Sequence, residues 1–168
     1  SDNDANGTTA APQTSATFAN FTIAMAEGNV DSKFASAMRI RRNSAINVYN
    51  SVFTGGWPRA GLRVENDLTI ANFTSGTMKM KGVIMATTAP KQLEGITENI
   101  FKAAGSKNAV ATEADLKLAA SFNVLTRKPT LLPQAGSMLL TAGADLPDGL
   151  EKTTYSGAFA TTDWTEGW

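Results

Sequence analysis

The segments NFT at 20–22, VYNSVF at 48–53 and ANFT at 71–74 limit what this chain can fold into more than any other feature. They recur about every 25 residues, a period that suits one coil of a parallel β-helix. Each sets apolar residues beside an Asn or Ser able to occupy a corner. Short strands broken by frequent turns also fit a β-sandwich, but the β-branched and asparagine content favours the coil.

Around these repeats the chain divides by texture. Residues 1–15 are small, polar and turn-forming, and read as a surface loop. From 16 to 86 the sequence offers β-helix coils: Phe21 and Ile23 alternate with Asn20 and Thr22, and strands are predicted near 37–42, 45–53, 61–65, 68–73 and 77–86. A helical insertion is expected over 87–122. Thr87 or Thr88 would cap its first helix, Pro90 stands in the first turn and Gly105 stops it, with Leu93, Ile96, Ile100 and Phe101 as the buried stripe. A second helix at 112–121 has Thr112 as cap. Residues 123–168 read as a final coil, with a short strand from Ser137 to Thr141, and an aromatic cap carrying Trp164 and Trp168.

Composition removes whole classes of chemistry. The chain has 168 residues, enough for one domain with a real core, and is 42% apolar. It contains no His and no Cys. That excludes Ser-His-Asp triads, thiolate catalysis and His- or Cys-ligated zinc. Fifteen basic and fifteen acidic residues give a net charge of zero, so no basic surplus exists to hold a nucleic acid backbone.

Four stretches occur in a telling order: SDNDANGTTAAPQTSATFANFTI, then ASAMRIRRNSAINVYNSVFTGGWPRAGLRVE, then PTLLPQAGSMLLTAGADL, then YSGAFATTDWTEGW. The series resembles the C-terminal portion of the exported parallel β-helix proteins of Bacteroidota. Many of these are lipoproteins or secreted surface proteins, often labelled hypothetical or multidrug transporters. The closing GAF…DWTEGW carries most of the likeness, followed by RRN…VYNSVF…GL. The resemblance implies a mainly β chain, a right-handed parallel β-helix formed by C-terminal coils, with a helical excursion near 89–121. It implies export to the cell surface, outer membrane or extracellular space. Its expected partner is an N-terminal β-helix portion of the same polypeptide, as a separate nicked chain, against which residues 1–168 would fold. It supplies no reaction.

Three groups of residues stand out as candidate sites, each with a plainer alternative. Asp2, Asp4 and Asn6 with Gly7 repeat the first half of a calcium loop, D-x-[DN]-x-[DN]-G, but position twelve is Gln13 rather than Glu. Calcium is therefore the one cofactor the chain suggests; the alternative is a turn between coils. Arg39, Arg41 and Arg42 form a basic cluster in which a strand would send Arg39 and Arg41 to one face and Met38 and Ile40 to the other. They read either as a clamp for an anion or uronate, with an arginine as base in a β-elimination, or as an outer face paired with Glu65, Asp67 or neighbouring coils. Tyr49, Trp57 and Arg59 read as a sugar platform, or Trp57 covers the solenoid wall. The leading functional expectation is a non-enzymatic surface protein giving a rigid wall to a glycan or another surface protein. The alternatives are a carbohydrate-active lyase or hydrolase and an accessory subunit of an outer-membrane complex.

Overall fold

The computed structural model describes residues 1–4, 10–26, 28, 30–120 and 130–166. The chain is mainly β, in three parallel sheets around a shared core. The first circuit contributes β1 (Thr17–Ala19), β2 (Thr22–Met25) and β3 (Ser36–Ile40). The second adds β4 (Asn47–Tyr49), β5 (Val52–Gly55) and β6 (Ala60–Val64), and the third β7 (Met80–Lys81), β8 (Ile84–Thr87) and β9 (Lys91–Glu94). A fourth circuit begins with β10 (Ala109–Val110). Like strands stack, giving sheets in the order β1-β4-β7, β2-β5-β8-β10 and β3-β6-β9.

Side-chain alternation turns that register into a core. Phe18, Val48 and Met80 stand in one row, Ile23, Phe53 and Met85 in the second, and Met38, Leu62 and Leu93 in the third. Val48, Phe53, Leu62 and Met85 are fully buried within one apolar cluster. Each such side chain contributes about 1.5–3 kcal/mol of hydrophobic stabilisation. The outer side of the β2-β5-β8-β10 sheet is buried as well. Val52 and Ile84 pack there with Leu116 and Leu139 in a second cluster. These last two come from α3 (Glu113–Leu116) and a 3-10 turn (Met138–Leu140).

The corner between the first two sheets explains the recurring asparagines. Asn20 and Asn50 adopt φ 53° and 42°, a left-handed turn that asparagine tolerates better than other side-chain-bearing residues. The third corner is Gly82, at φ 66°. A Cβ there would fall 2.2 Å from Asn50 Oδ1 and 2.9 Å from the Ala144 nitrogen, so no asparagine can follow the series. The third repeat expected from the sequence, ANFT at 71–74, is not a corner at all. It closes α1 (Asp67–Thr74), which lies between β6 and β7. Ile70 and Phe73, three residues apart, pack onto the core, and helical spacing prevails over the apparent alternation of Leu68 and Ile70. Asn72 donates from Nδ2 to Asn43 Oδ1 at 2.9 Å, tying the helix to the turn below β3.

The helical excursion also needs correction. Within 89–121, β9 and β10 continue the sheets, and the helices shorten to α2 (Glu98–Phe101) and α3. Gly95 decides the first boundary: its φ is 89°, and a Cβ would lie 1.8 Å from the Val64 carbonyl oxygen. A helix running from Thr88 through this position is replaced by a strand ending at Glu94. Thr97, not Thr87 or Thr88, caps α2 by accepting from the Ile100 nitrogen. Phe101 and Ile96 are buried in the core cluster and close the stack beneath β7–β9. Thr112 caps α3 as expected, in a reciprocal box with Asp115. The strand expected from Ser137 to Thr141 is the 3-10 turn, held where Ser137 Oγ donates to the Leu116 carbonyl at 2.6 Å.

Candidate binding face

The outer side of the β3-β6-β9 sheet is a ladder of charge. Arg39 of β3 is in register with Arg63 of β6, and Arg63 with Glu94 of β9. Strands in a sheet lie only about 4.8 Å apart, so like charges on adjacent strands repel unless carboxylates stand between them. Glu65, just beyond β6, supplies one. Arg39 donates to Glu65 Oε2 from Nε at 3.1 Å and from Nη2 at 2.7 Å. Arg63 Nη2 lies against the other oxygen, Oε1, as an ion pair without directed hydrogen-bond geometry. Arg63 Nε is 3.4 Å from Glu94 Oε1. Arg59 grips Glu94 through both oxygens, at 2.9 and 2.6 Å.

The ladder continues onto the chain's first residues. Asp2 forms a parallel bridge with Arg41, whose Nε and Nη2 bind its two carboxylate oxygens at 2.6 and 2.9 Å. Arg42 Nη1 adds a third bond to Asp2 at 3.1 Å. Among the described residues, Arg39, Arg41, Arg42, Arg59 and Arg63 thus share Asp2, Glu65 and Glu94, each carboxylate held by two arginines.

These pairings set the ionisation of the acids. The hydrogen bond from Arg41 holds Asp2 below the usual carboxylate range, and the bond from Arg59 does the same for Glu94. Burial alone would raise Glu65, but the Arg39 bond and the charges of Arg39, Arg63 and Arg41 together bring it below its ordinary value. A general acid needs its pKa raised toward the working pH. All three acids move the other way.

The remaining sequence candidates are placed apart from this face or within the wall. Tyr49 is buried, and burial pushes its phenol upward. Trp57 is buried, and its Nε1 donates to the Thr54 carbonyl at 3.0 Å. Neither ring joins Arg59 in a platform open to a sugar. Asp2 offers no carboxylate oxygen clear of a guanidinium, which ill suits a cation ligand. Asp4 donates its backbone N–H to the Arg42 carbonyl at 3.4 Å, and Asn6 lies outside the described residues. Among the described residues, no three acidic side chains gather where a metal ion could sit.

Arg63 and Glu94 are not among the sequence candidates because the helix expected through Leu93 hides β9 and the register that joins them. Trp164 also departs from expectation. Instead of covering the last coil, residues 143–158 return along the asparagine corner to the first. Ala158 N donates to Thr22 Oγ1 at 3.0 Å, and Trp164 Nε1 donates to the Ala158 carbonyl at 2.9 Å. The Trp164 ring stacks on Phe159 with centroids 5.7 Å apart. Trp168 lies outside the described residues.

Three parallel sheets wound about one core, with a charged ladder on one outer wall, define a protein of the β-helix class. A family model described as a pectate-lyase like beta helix domain matches residues 1–131, and the chain belongs to that family. No curated protein and no solved structure matches it.

Proposed function

We propose that the protein is an exported, non-enzymatic surface β-helix whose β3-β6-β9 wall binds acidic glycans. The observation that carries this reading is the row of guanidinium groups held on one outer wall, where, among the described residues, five arginines share three carboxylates. Arginine presents planar donors that match carboxylates and sulfates two at a time, and a partly paired guanidinium keeps further N–H groups for such a ligand. A β-sheet wall holds these groups at fixed spacing, which limits the entropy lost on binding. The right-handed winding belongs to the same proposal and rests on the general hand of parallel crossovers.

The non-enzymatic part rests on the ionisation pattern. An elimination needs a base free to take a proton, and each arginine here is engaged by a carboxylate. A hydrolase needs one carboxyl kept protonated, and Asp2, Glu65 and Glu94 are all shifted toward the ionised form.

Titration with polygalacturonate, followed by calorimetry and by the ultraviolet absorbance of unsaturated uronides, tests both parts. Saturable binding that weakens as salt rises, with no gain in absorbance, is the expected result. Arg59→Ala and Arg39→Ala should each weaken binding several-fold. Loss of polymer length or a rising absorbance would replace this reading with a lyase or hydrolase. Absence of binding to any acidic glycan would leave a protein partner as the better account.

A further inference from the structure

Glu65 and Glu94 belong to different circuits, and among the described residues Arg63 is the side chain that pairs with both. Its Nη2 lies against Glu65 Oε1, and its Nε is 3.4 Å from Glu94 Oε1. These contacts differ in kind from those of its neighbours. Arg39 donates from Nε and Nη2 to Glu65, and Arg59 donates from the same two nitrogens to Glu94. Arg63 makes no such fork. Its Nε and the Glu65 Oε1 that faces it are both sealed from solvent without a directed hydrogen bond among the described residues. Charge alone holds Arg63 there, drawn by two carboxylates at once.

Position in the sheet accounts for this. Arg63 sits in the middle strand β6, in register with Arg39 on one side and Glu94 on the other, with about 4.8 Å between strands. The Arg39 and Arg59 side chains are 42% and 50% exposed, and that of Arg63 only 12%. The outer two can therefore meet a ligand, and the inner one cannot. A guanidinium carries its N–H donors in a rigid planar fork. In Arg39 and Arg59 a carboxylate takes the Nε–Nη2 edge, which leaves the Nη1–Nη2 edge to face an oxyanion. The result is a chain of alternating charge, Arg39–Glu65–Arg63–Glu94–Arg59.

We propose that Arg63 is the positioning residue of this wall: by holding Glu65 and Glu94 together, it aligns the remaining edges of Arg39 and Arg59 so that they take an acidic glycan as one unit. The inference rests on the reading of the wall as an acidic-glycan site, with Arg39 and Arg59 touching the ligand and Arg63 acting through the carboxylates. A polymer with acid groups on successive units can occupy both edges. The linkage has a physical consequence across the wall. If Glu65 loses its charge, Arg63 turns wholly to Glu94 and competes there with Arg59, because a desolvated cation left without its partner is costly. Arg59 would respond although it forms no ion pair with Glu65.

Proton exchange at Arg39 and Arg59 Nε–H, followed by NMR on the intact chain without ligand, reads the alignment. Calorimetric titration with polygalacturonate reads its consequence. Glu65→Gln should speed exchange at Arg59 several-fold, and in an Arg63→Met background the same change should have no effect there. Arg63→Lys keeps the charge, but an ammonium has no planar fork to span two carboxylates. It should loosen both outer arginines and weaken polygalacturonate binding several-fold, with circular dichroism unchanged. Recovery of exchange and binding by lysine would overturn the proposal, since charge alone would then suffice. An Arg59 indifferent to Glu65→Gln, or loosening of only one outer arginine by Arg63→Lys, defeats it as well. Should Arg63→Met fail to fold, Glu65→Gln and Arg63→Lys still decide. An intact chain that ignores polygalacturonate while showing the expected exchange pattern defeats the glycan reading and leaves the alignment by Arg63 standing. Binding without that pattern does the reverse.

Discussion

Asn50 concentrates more structural demands than any other side chain in the corner. It is fully buried, adopts a left-handed backbone conformation, donates to the Ala144 carbonyl at 3.0 Å and accepts from the Ala144 nitrogen at 2.7 Å. Asn50→Ala loses the side-chain tolerance for positive φ and leaves Ala144 unpaired in the interior. Together these cost about 3 kcal/mol, seen as a lower urea midpoint with unchanged slope. Asn50→Gly restores the backbone freedom but not the bonds, so it should fall between the two. If glycine proves as harmful as alanine, backbone conformation contributes nothing at this corner. The acids of the charged wall make a second prediction. Asp2, Glu65 and Glu94 are all depressed in the folded protein, so they bind protons more weakly than in the unfolded chain. Their contribution is complete above the ordinary carboxylate pKa of about 4 and is lost as pH falls through the folded values. Urea midpoints should therefore drop on acidification. Glu94→Gln should flatten that decline; an unchanged slope would show that Glu94 does not report the Arg59 pairing.

At the scale of elements, α2 matters for where it sits rather than for its own propensity. Four residues make one turn, too short to hold without packing. Its value lies in Phe101, which closes the core. Phe101→Ala should cost about 3–5 kcal/mol, lowering the thermal midpoint by many degrees, whereas Lys102→Ala, which removes an exposed i,i+4 pair with Glu98, should change it little. Equal effects would mean that the plug does not seal the stack. The same elements show why only part of the fold could be read in advance. Asn20 and Asn50 announce corners because few residues take that backbone shape. Once Gly82 replaces asparagine the series continues in space but disappears from the letters, and Asn72 offers a false third member inside α1. Glu65 could be named as a partner for the arginines from charge alone. Glu94 could not, because its pairing depends on β9, and the apolar spacing of Leu93, Ile96 and Ile100 mimics a helix. Gly95 was the available signal: a glycine of positive φ stacked on the Val64 carbonyl interrupts any helix drawn through it. Buried Tyr49 and Trp57 misled for a different reason, since sequence shows an aromatic but not which side of a wall it occupies.

Over the whole molecule, the returning C-terminal segment changes how a stack of coils should unfold. In a simple solenoid each circuit touches only its neighbours, and stability is a sum of local terms that allows one end to fray alone. Here residues 143–158 bond to several circuits at once. Asn20 Nδ2 donates to the Tyr155 and Gly157 carbonyls in the first, and Gly157 N donates to the Asn50 carbonyl in the second. Ser156 Oγ donates to the Gly82 carbonyl in the third, and Lys107 Nζ reaches the Gly143 carbonyl below it. Thr153 bridges circuits too, donating to Asn20 Oδ1 at 3.1 Å and lying 3.2 Å from Asn50 Nδ2. Losing the first circuit therefore means releasing contacts that the second and third also use, and the opening of one becomes the opening of all. Native-state hydrogen exchange should accordingly report a common opening free energy for the amides of β2 and β8 that face the interior of the stack. A Thr153→Ala, Ser156→Ala double variant removes two anchors without touching any strand. In it the two values should separate, with β2 exchanging by an easier local opening while β8 keeps its protection. Were β2 and β8 already to open independently in the unaltered protein, the returning segment would be a passenger on the stack, and the circuits would hold one another by contact alone.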